Sequence, residues 1–486
     1  MNIQTFACST ALIVMELVVT ASTAAAATIP ASRPADRDAF VRVSPRDPRY
    51  FELTDGTAYV PIGFNMVDAP QEKEWPQVLA TMAAHRVNYC RVFLDAPPWK
   101  IEQRKSGQYD EDEVEVLVRF LKAAGRHGIR VKTCLEHFRD VKPQPANAPP
   151  PKDHWAQRPY HHRDNGGPFA SMEEYLSSEQ GIAQFNRKLA FYQAHCGDRP
   201  DVFAWELWNE MDCVKGDWLT WTKRMLPVVH HLFPKNLVVQ SLGSFDGPAK
   251  RDANYRPTVT LAGNDVAQVH RYLDLGCGWE ICHGPIDVML ADAVRELRAM
   301  APNKPILVAE TGAVKPKHTG CSELYEKDKA GMILHDVIFA PFFAGAAGCG
   351  HTWWWRQCIQ QPNQWHQFDR FAAAIEGIDP PAERFEAVRI PHPRLRVYAL
   401  KGKTTFIAWC RDSRNDWRTE LRDGKPPEVI DDAVLDFSDH LPGKVAPARI
   451  YDPWKNEWSS AKVESSKVAL PAFERSIVVR LVYGPR

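Results

Sequence analysis

Two stretches decide how this chain is read: Trp205-Glu206-Leu207-Trp208-Asn209-Glu210 and, later, Ile306-Leu307-Val308-Ala309-Glu310-Thr311-Gly312. Each is a short apolar run with strand character that ends on a glutamate where the run stops. In a parallel α/β barrel the loops after the strands form the open face, so strand tips carry the working side chains. One such glutamate alone could simply cap a strand and pair with an arginine. Two, in this order and spacing, favour chemistry, because an acid and a nucleophile are the equipment for cleaving a glycosidic bond.

Working outward, helix-period and strand-period segments alternate, which is the mark of a parallel α/β fold. The first strand is expected at 59–65. Further strands are expected at 88–94, 129–135, 202–208, 237–242, 266–269, 306–309 and 348–353, making eight. Asp110 and Glu113 form a capping pattern ahead of Val114, Leu117, Val118 and Leu121, which share one helical face. The connection 243–264 is only weakly helical. Ahead of the first strand, Phe40-Val41-Arg42-Val43 and Tyr50-Phe51-Glu52-Leu53 read as a β-hairpin. After the third strand a long connection runs from His137 through the prolines of 143–151 and Trp155, Tyr160, His161 and His162 to Pro168. So long a loop is usually functional, and its aromatics suit a substrate wall. His161-His162 lacks a carboxylate at ligand spacing, so no metal is expected there.

From Phe385 the helices stop. Short strands at 395–400, 405–409, 433–437, 448–451 and 477–482, split by Gly, Pro and Asp turns, indicate a β-sandwich. No polar linker precedes them, which favours a buttress on the barrel over a detachable carbohydrate-binding module.

The chain has 486 residues, with 60 Lys+Arg against 60 Asp+Glu, and this even balance argues against nucleic acid or an anionic membrane as partner. The apolar core Ala11-Leu12-Ile13-Val14-Met15 and Leu17-Val18-Val19, followed by an alanine-rich run to Ala27, reads as an export signal. Glu16 interrupts it, and no Lys or Arg precedes it. No later stretch approaches the roughly 20 apolar residues of a membrane span. Cys90, Cys134 and Cys349 lie in strand-like runs as buried thiols, whereas Cys277, Cys282 and Cys321 are loop-like and could pair. Neither Cys-x-x-Cys nor His-Glu-x-x-His spacing occurs, so neither a metal nor another cofactor is expected.

Trp-Glu-Leu-Trp-Asn-Glu followed by Val-Ala-Glu-Thr-Gly resembles the acid/base and nucleophile signatures of retaining (β/α)8 glycoside hydrolases of clan GH-A, and is most similar to the cellulase-like glycoside hydrolase family 5. Further matches spread from Tyr59 to Trp355, including Gly63-Phe64-Asn65 at the first strand's end; Asp452-Pro453-Trp454 resembles a turn of the C-terminal sandwich in such relatives. The resemblance implies a (β/α)8 TIM barrel over 59–384 and a C-terminal antiparallel β-sandwich over 385–486, after a signal peptide (1–27) and a linker with hairpin (28–58). It implies acid/base Glu210 and nucleophile Glu310. Arg91, a lone charge in an apolar strand, would bond the nucleophile. Asn209 would bond the sugar 2-hydroxyl, and His137 and His270 would lie on the substrate side. Tyr272 would orient the nucleophile, and Trp353, with Trp355 beside it by alternation, would floor the sugar subsite. Glu206, deeper on the same alternation as Glu210, is expected to be structural. The expected protein is a secreted or periplasmic retaining β-glycosidase acting on a β-linked gluco- or manno-configured oligo- or polysaccharide. A transglycosylase would use the same residues, and a non-catalytic carbohydrate-binding barrel would normally lack one glutamate. Sugar, linkage and oligomeric state are not encoded in these motifs.

Overall fold

Apolar runs ending in polar tips assemble side by side into a five-stranded parallel sheet. Its strands are Gly63–Asn65, Tyr89–Phe93, Arg130–Glu136, Val202–Trp208 and Leu237–Val239, in chain order. Ala267–His270 and Ile306–Glu310 form a second parallel pair. Backbone bonds link the two: Asp265 N donates to Val238 O (3.0 Å) on one side. On the other, His351 N donates to Val308 O (3.0 Å) and Asn65 N to Thr352 O (3.0 Å). Every residue of these strands is buried, as expected where both faces of a parallel sheet are covered. This computed structural model describes residues 38–145, 156–441 and 446–483. The expected export signal, nearly all of the linker, Trp155 and part of the proline run at 143–151 lie outside them.

Two strand expectations need correction. Tyr59 belongs to the N-terminal element: Ala58–Tyr59 pairs antiparallel with Phe51–Leu53, which pairs with Val41–Val43, and the parallel sheet begins only at Gly63. Pro61 lies between the two, so a single ladder does not run through. The segment 348–353 carries bridging hydrogen bonds but one isolated bridge, Thr311 with Thr352, instead of a regular ladder. The connection 243–264 holds only the π-helical turn Arg251–Tyr255 and the short helix Arg256–Val259.

Helix formation follows the sequence closely at Glu111–Arg126. The Asp110 carboxylate accepts from Asp112 N and Glu113 N (3.1 and 3.2 Å), and three acidic residues sit in the first turn beside the positive end of the helix dipole. Val114, Leu117, Val118 and Leu121 face inward. Met332–Phe343 is different: all twelve of its residues are buried, so no polar stripe is needed.

That helix is buried because the C-terminal region packs on it. Six antiparallel strands form one sheet in the order Glu386–Arg389, Leu395–Lys401, Thr405–Asp412, Ser476–Val482, Ala448–Asp452, Glu457–Ala461. Two smaller sheets accompany it, Val429–Ile430 with Phe473–Glu474, and Val434–Asp436 with Lys467–Ala469 and Val463–Glu464. Alternation divides the strand Thr405–Asp412 between two cores. Ile407 and Trp409 join the core that includes the Met332–Phe343 helix, while Phe406, Ala408 and Cys410 join a second one with Leu435, Phe437 and Val468.

Buried ion pairs cross the first of these contacts. Arg411 donates to Asp336 (2.9 Å), and Arg396 and Tyr398 donate to Asp287 (2.6 and 2.8 Å). Breaking a buried pair leaves its partner charged and unsolvated, a loss of about 3–5 kcal/mol. Arg411→Ala is therefore expected to lower unfolding free energy by about 3–5 kcal/mol in urea titrations. An Arg411→Met/Asp336→Leu double variant should recover most of that loss.

Candidate active site

The two key glutamates reach the strand ends by different backbone devices. Glu210 follows the strand Val202–Trp208 in the left-handed region (φ 51°, ψ 56°), a strained conformation for a residue with a Cβ. Its N–H donates to Ser241 Oγ (3.1 Å), and Met211 N donates to Ser241 O (3.1 Å), which pins the turn. Glu310 ends its strand at a register shift against His270, and such a bulge re-aims a side chain. Two residues on, Gly312 has φ +132°, and a Cβ there would come within 2.6 Å of the Tyr325 hydroxyl. Only glycine fits this turn without displacement.

These devices bring the carboxylates together. His270 Nδ1 lies 3.1 Å from Glu210 Oε1 and 3.2 Å from Glu310 Oε2, and an oxygen of each carboxylate lies within 4.8 Å of the other. Tyr272 donates its hydroxyl to Glu310 Oε2 (2.9 Å), and Arg91 donates to Glu310 Oε1. Burial, then the Glu310 charge, pushes the Tyr272 hydroxyl well above its usual range, so it remains a donor.

Beneath them runs an interior charge network. Arg91, 2% exposed, also donates to both oxygens of Glu206 (2.6 and 2.9 Å), to Asn209 Oδ1 (2.8 Å) and to Asn65 Oδ1 (3.2 Å). Lys132 Nζ lies 3.3 Å from Glu206 and donates to Gln268 (2.8 Å). Burial draws Lys132 down to about 8 against the pull of Glu206. For Glu206, burial pushes upward, but Arg91 and Lys132 prevail and hold its carboxylate at about 2.

Glu210 sits in a contested environment. Burial raises its pKa, but the His270 hydrogen bond and the nearby Arg139 charge prevail and bring it to about 2. Arg139 donates directly to Glu210 Oε2 from the segment after the third parallel strand. His137, two residues earlier, is driven down to about 3 by burial and then by Arg158, so the imidazole is neutral and its Nε2 accepts from Arg158 Nη2 (3.1 Å).

Glu210, Glu310, Asn209, His137, Tyr272 and Trp353 all line one cleft of about 1200 Å³. Arg91 and His270 do not line it: they lie under its floor and act on the carboxylates. The expectation for Trp355 is corrected. Its ring is buried against Phe64 (centroids 5.5 Å apart), and Trp354 lines the cleft instead. Alternation fails here because extended pairing stops at Thr352 and a helical turn begins at Trp355.

The described part of the long loop supplies Gln157, Arg158 and Tyr160 to the cleft wall. Its histidines serve structure: His161 Nδ1 bonds Ser106 Oγ (2.7 Å), and His162 Nδ1 accepts from Asp164 N (3.1 Å). Glu210, His270 and Glu310 form the one metal-ligand-like triple among the described residues. A cation there would face two guanidinium groups bonded to the same carboxylates, so the donor set is already occupied by arginine. All ten described cysteines, including Cys277, Cys282 and Cys321, are thiols. The sequence reading gives Arg139, Asn65 and Lys132 no role. Asn65 stands in Gly63-Phe64-Asn65 and Lys132 alternates with Arg130 in a strand-like run, while Arg139 lies in an aperiodic loop that gives no signal.

No family model matches the chain. Mannan endo-1,4-beta-mannosidase 4 of Oryza sativa subsp. japonica is 24% identical over 371 residues, which cover 70% of this chain and 76% of that protein. Mannan endo-1,4-beta-mannosidase 3 of the same organism is 26% identical over 279 residues, 52% of this chain and 57% of its own length. The chain thus spans between about half and three quarters of these relatives. A solved structure described as a glycoside hydrolase family 5 from Bacteroides vulgatus ATCC 8482 superposes with a TM-score of 0.57 at 11% identity, covering 91% of this chain and 93% of that one. The resemblance carried by the glutamate motifs therefore extends to sequence over most of the chain and, separately, to the fold.

The interior network has a measurable acid signature. A carboxylate lowered on folding adds stability that is complete above its unfolded pKa and is lost as pH falls through its folded value. For Glu206 that window runs from the ordinary 4.5 to about 2, a contribution of roughly 3 kcal/mol. Glu206→Gln should be less stable at pH 5, and its unfolding free energy should fall less steeply than the parent's between pH 5 and pH 3 in urea titrations.

Proposed function

We propose that this glycosidase cleaves β-linked, manno-configured glycans by double displacement, with Glu310 as nucleophile and Glu210 as acid/base. The observation that carries the reading is the approach of the two carboxylates, with oxygens within 4.8 Å of each other. Retaining enzymes hold their carboxyl groups about 5–5.5 Å apart, and an inverting pair needs room for a water, at about 6.5 Å or more. Mannose as the sugar rests on the names of the plant relatives.

In the first step Glu310 attacks the anomeric carbon while Glu210 gives its proton to the leaving oxygen. A covalent glycosyl-enzyme and a free leaving-group alcohol result. In the second, Glu210 takes a proton from water, which attacks the same carbon and releases the sugar and the Glu310 carboxylate. Arg91 and Tyr272 hold Glu310 aimed, and as its oxygen bonds the anomeric carbon the Tyr272 hydroxyl turns toward the ring oxygen. Asn209 accepts from Arg91 through Oδ1, which leaves its amide hydrogens for the sugar 2-hydroxyl, a contact that strengthens at the transition state. Trp353 and Trp354 offer apolar faces to sugar rings.

The finer architecture belongs to the same reading. Bridging hydrogen bonds on both flanks of the two parallel sheets support a closed (β/α)8 barrel with 348–353 as its eighth strand. The C-terminal sheets are read as a β-sandwich that buttresses it. Export is read from residues 1–27, and no helix among the described residues is long and apolar enough to cross a membrane.

The roles separate by the stereochemistry of azide products. Glu310→Ala should lose turnover by several orders of magnitude even on a dinitrophenyl β-mannoside, and added azide should enter from the vacated side to give the α-mannosyl azide. Glu210→Ala should still form the glycosyl-enzyme from that substrate, stall for want of a base, and yield the β-azide. An α-azide from Glu210→Ala, or normal turnover in either variant, would reverse or remove the assignment.

A further inference from the structure

Between the strand Ala267–His270 and the helix Ile286–Met300 the chain makes a closed loop that holds Cys277 and Cys282. Asp274 gathers both cysteines: its carbonyl accepts from Cys277 N (3.1 Å), and its N–H donates to the Cys282 carbonyl (3.1 Å). Trp279, between them in sequence, holds them a second time. Its N–H donates to Cys277 Sγ (3.2 Å), and its carbonyl accepts from Cys282 N (3.0 Å). With the backbone folded back in this way, the two thiols meet side chain to side chain.

Their surroundings set an order of reaction. Cys277 is half-buried, whereas Cys282 is 1% exposed. A disulfide forms when a thiolate attacks a disulfide sulfur, and the accessible thiol meets the oxidant first. Burial, then the charge of Cys277, pushes the Cys282 thiol up, so Cys282 is the poorer attacker while both are free. Once Cys277 is held in a mixed disulfide it carries no charge. The Arg271 guanidinium remains near Cys282 and favours its thiolate.

The pair also sits among the bonds that hold one wall of the cleft. Cys277 Sγ donates to the Asp246 carbonyl (3.1 Å), and Asp246 lines the cleft beside Ser244. The Asp274 carboxylate accepts from Lys317 N (2.9 Å) and lies 3.4 Å from His318, another lining residue.

We propose that Cys277 and Cys282 are an oxidation site, which a small disulfide such as oxidised glutathione converts to an intrachain disulfide bracing the Asp246 and His318 wall. The step balances. Cys277 Sγ, as thiolate, bonds one sulfur of the oxidant and displaces the first glutathione. Cys282 Sγ then attacks Cys277 Sγ, breaks the mixed disulfide and releases the second. The two thiol protons end on the two glutathione thiols, and the two electrons pass from the protein to the oxidant. Asp246 gives up only a weak S–H donor, while closing the loop constrains the unfolded chain. The export read from residues 1–27 would carry the chain to a compartment where such oxidants prevail. The chemistry itself is independent of the glycosidase reading.

Both cysteines fall in one tryptic peptide, Tyr272–Arg295. The folded full-length protein is incubated with oxidised glutathione at about pH 8, quenched in acid, unfolded, alkylated with iodoacetamide and digested. That peptide is expected without alkyl label and two hydrogens lighter than its unlabelled reduced mass, whereas the reduced control carries two labels. In Cys282→Ser the reaction should stop at Cys277 as a glutathione adduct. The oxidised parent should unfold about 2–4 °C above the reduced parent, a difference absent from Cys277→Ser. Two labels on the peptide after oxidation, a glutathione adduct that persists on the parent, a link from Cys277 to Cys321 instead, or equal unfolding temperatures for the two forms would overturn the inference.

Discussion

The structure depends on keeping one buried guanidinium satisfied. Arg91 stands among the parallel strands, where an unpaired charge would be lost to desolvation by several kcal/mol. It is tolerated because Glu206, Glu310, Asn209 and Asn65 supply acceptors from three other strand ends. Lys132 balances the second carboxylate, so two cations face two anions with little access to water. Each strand that contributes a member is held in register by it. The interior of the parallel sheets and the candidate site are therefore one electrostatic object, and a change that loosens the site also loosens the strands beneath it.

This explains which parts were legible in the sequence. Glu210 and Glu310 stood out because each follows an apolar run where the ladder ends. Arg91 stood out as a charge among strand residues, and Glu206 was placed in the interior by period-2 alternation from Glu210. Lys132 obeys the same rule and passed unread, since a lysine near a strand start is usually taken as solvated. Alternation misplaced Trp355 because it describes extended backbone only, and the chain turns helical after Thr352. The start of the first parallel strand was misread for a related reason: Tyr59 and Phe64 both fit a strand, but Pro61 and the pairing of Tyr59 with Phe51 divide the run. Arg139 could not be read at all. Its position is set by the path of an aperiodic loop and by Lys215, 76 residues away in sequence, bonding its carbonyl.

The C-terminal sheet shows the same logic on an apolar surface. Thr405–Asp412 is buried at every position, which on a solvent-facing antiparallel sheet would be anomalous. Ile407 and Trp409 face the helix Met332–Phe343, and Phe406, Ala408 and Cys410 face the smaller strands, so apolar residues fall on both sides. The helix Met332–Phe343 is apolar all round for the complementary reason. Two elements without polar faces, far apart in sequence, account for each other, and Arg411 with Asp336 fixes how they meet.

The two glutamates differ most in the freedom of the arginine each one holds. Arg91 is enclosed and bonded to acceptors from several strands, and moving it would break all of those bonds at once. Glu310 is thus held by a donor enclosed in the interior. Arg139 reaches Glu210 from a loop at the cleft surface. Burial alone would push Glu210 toward the protonated state, and His270 and Arg139 are what hold it ionised. Of these, His270 is fully enclosed and bridges both carboxylates. The site thus holds one carboxylate with a buried cation and the other with a cation at the cleft surface, an asymmetry set by where each arginine enters the fold.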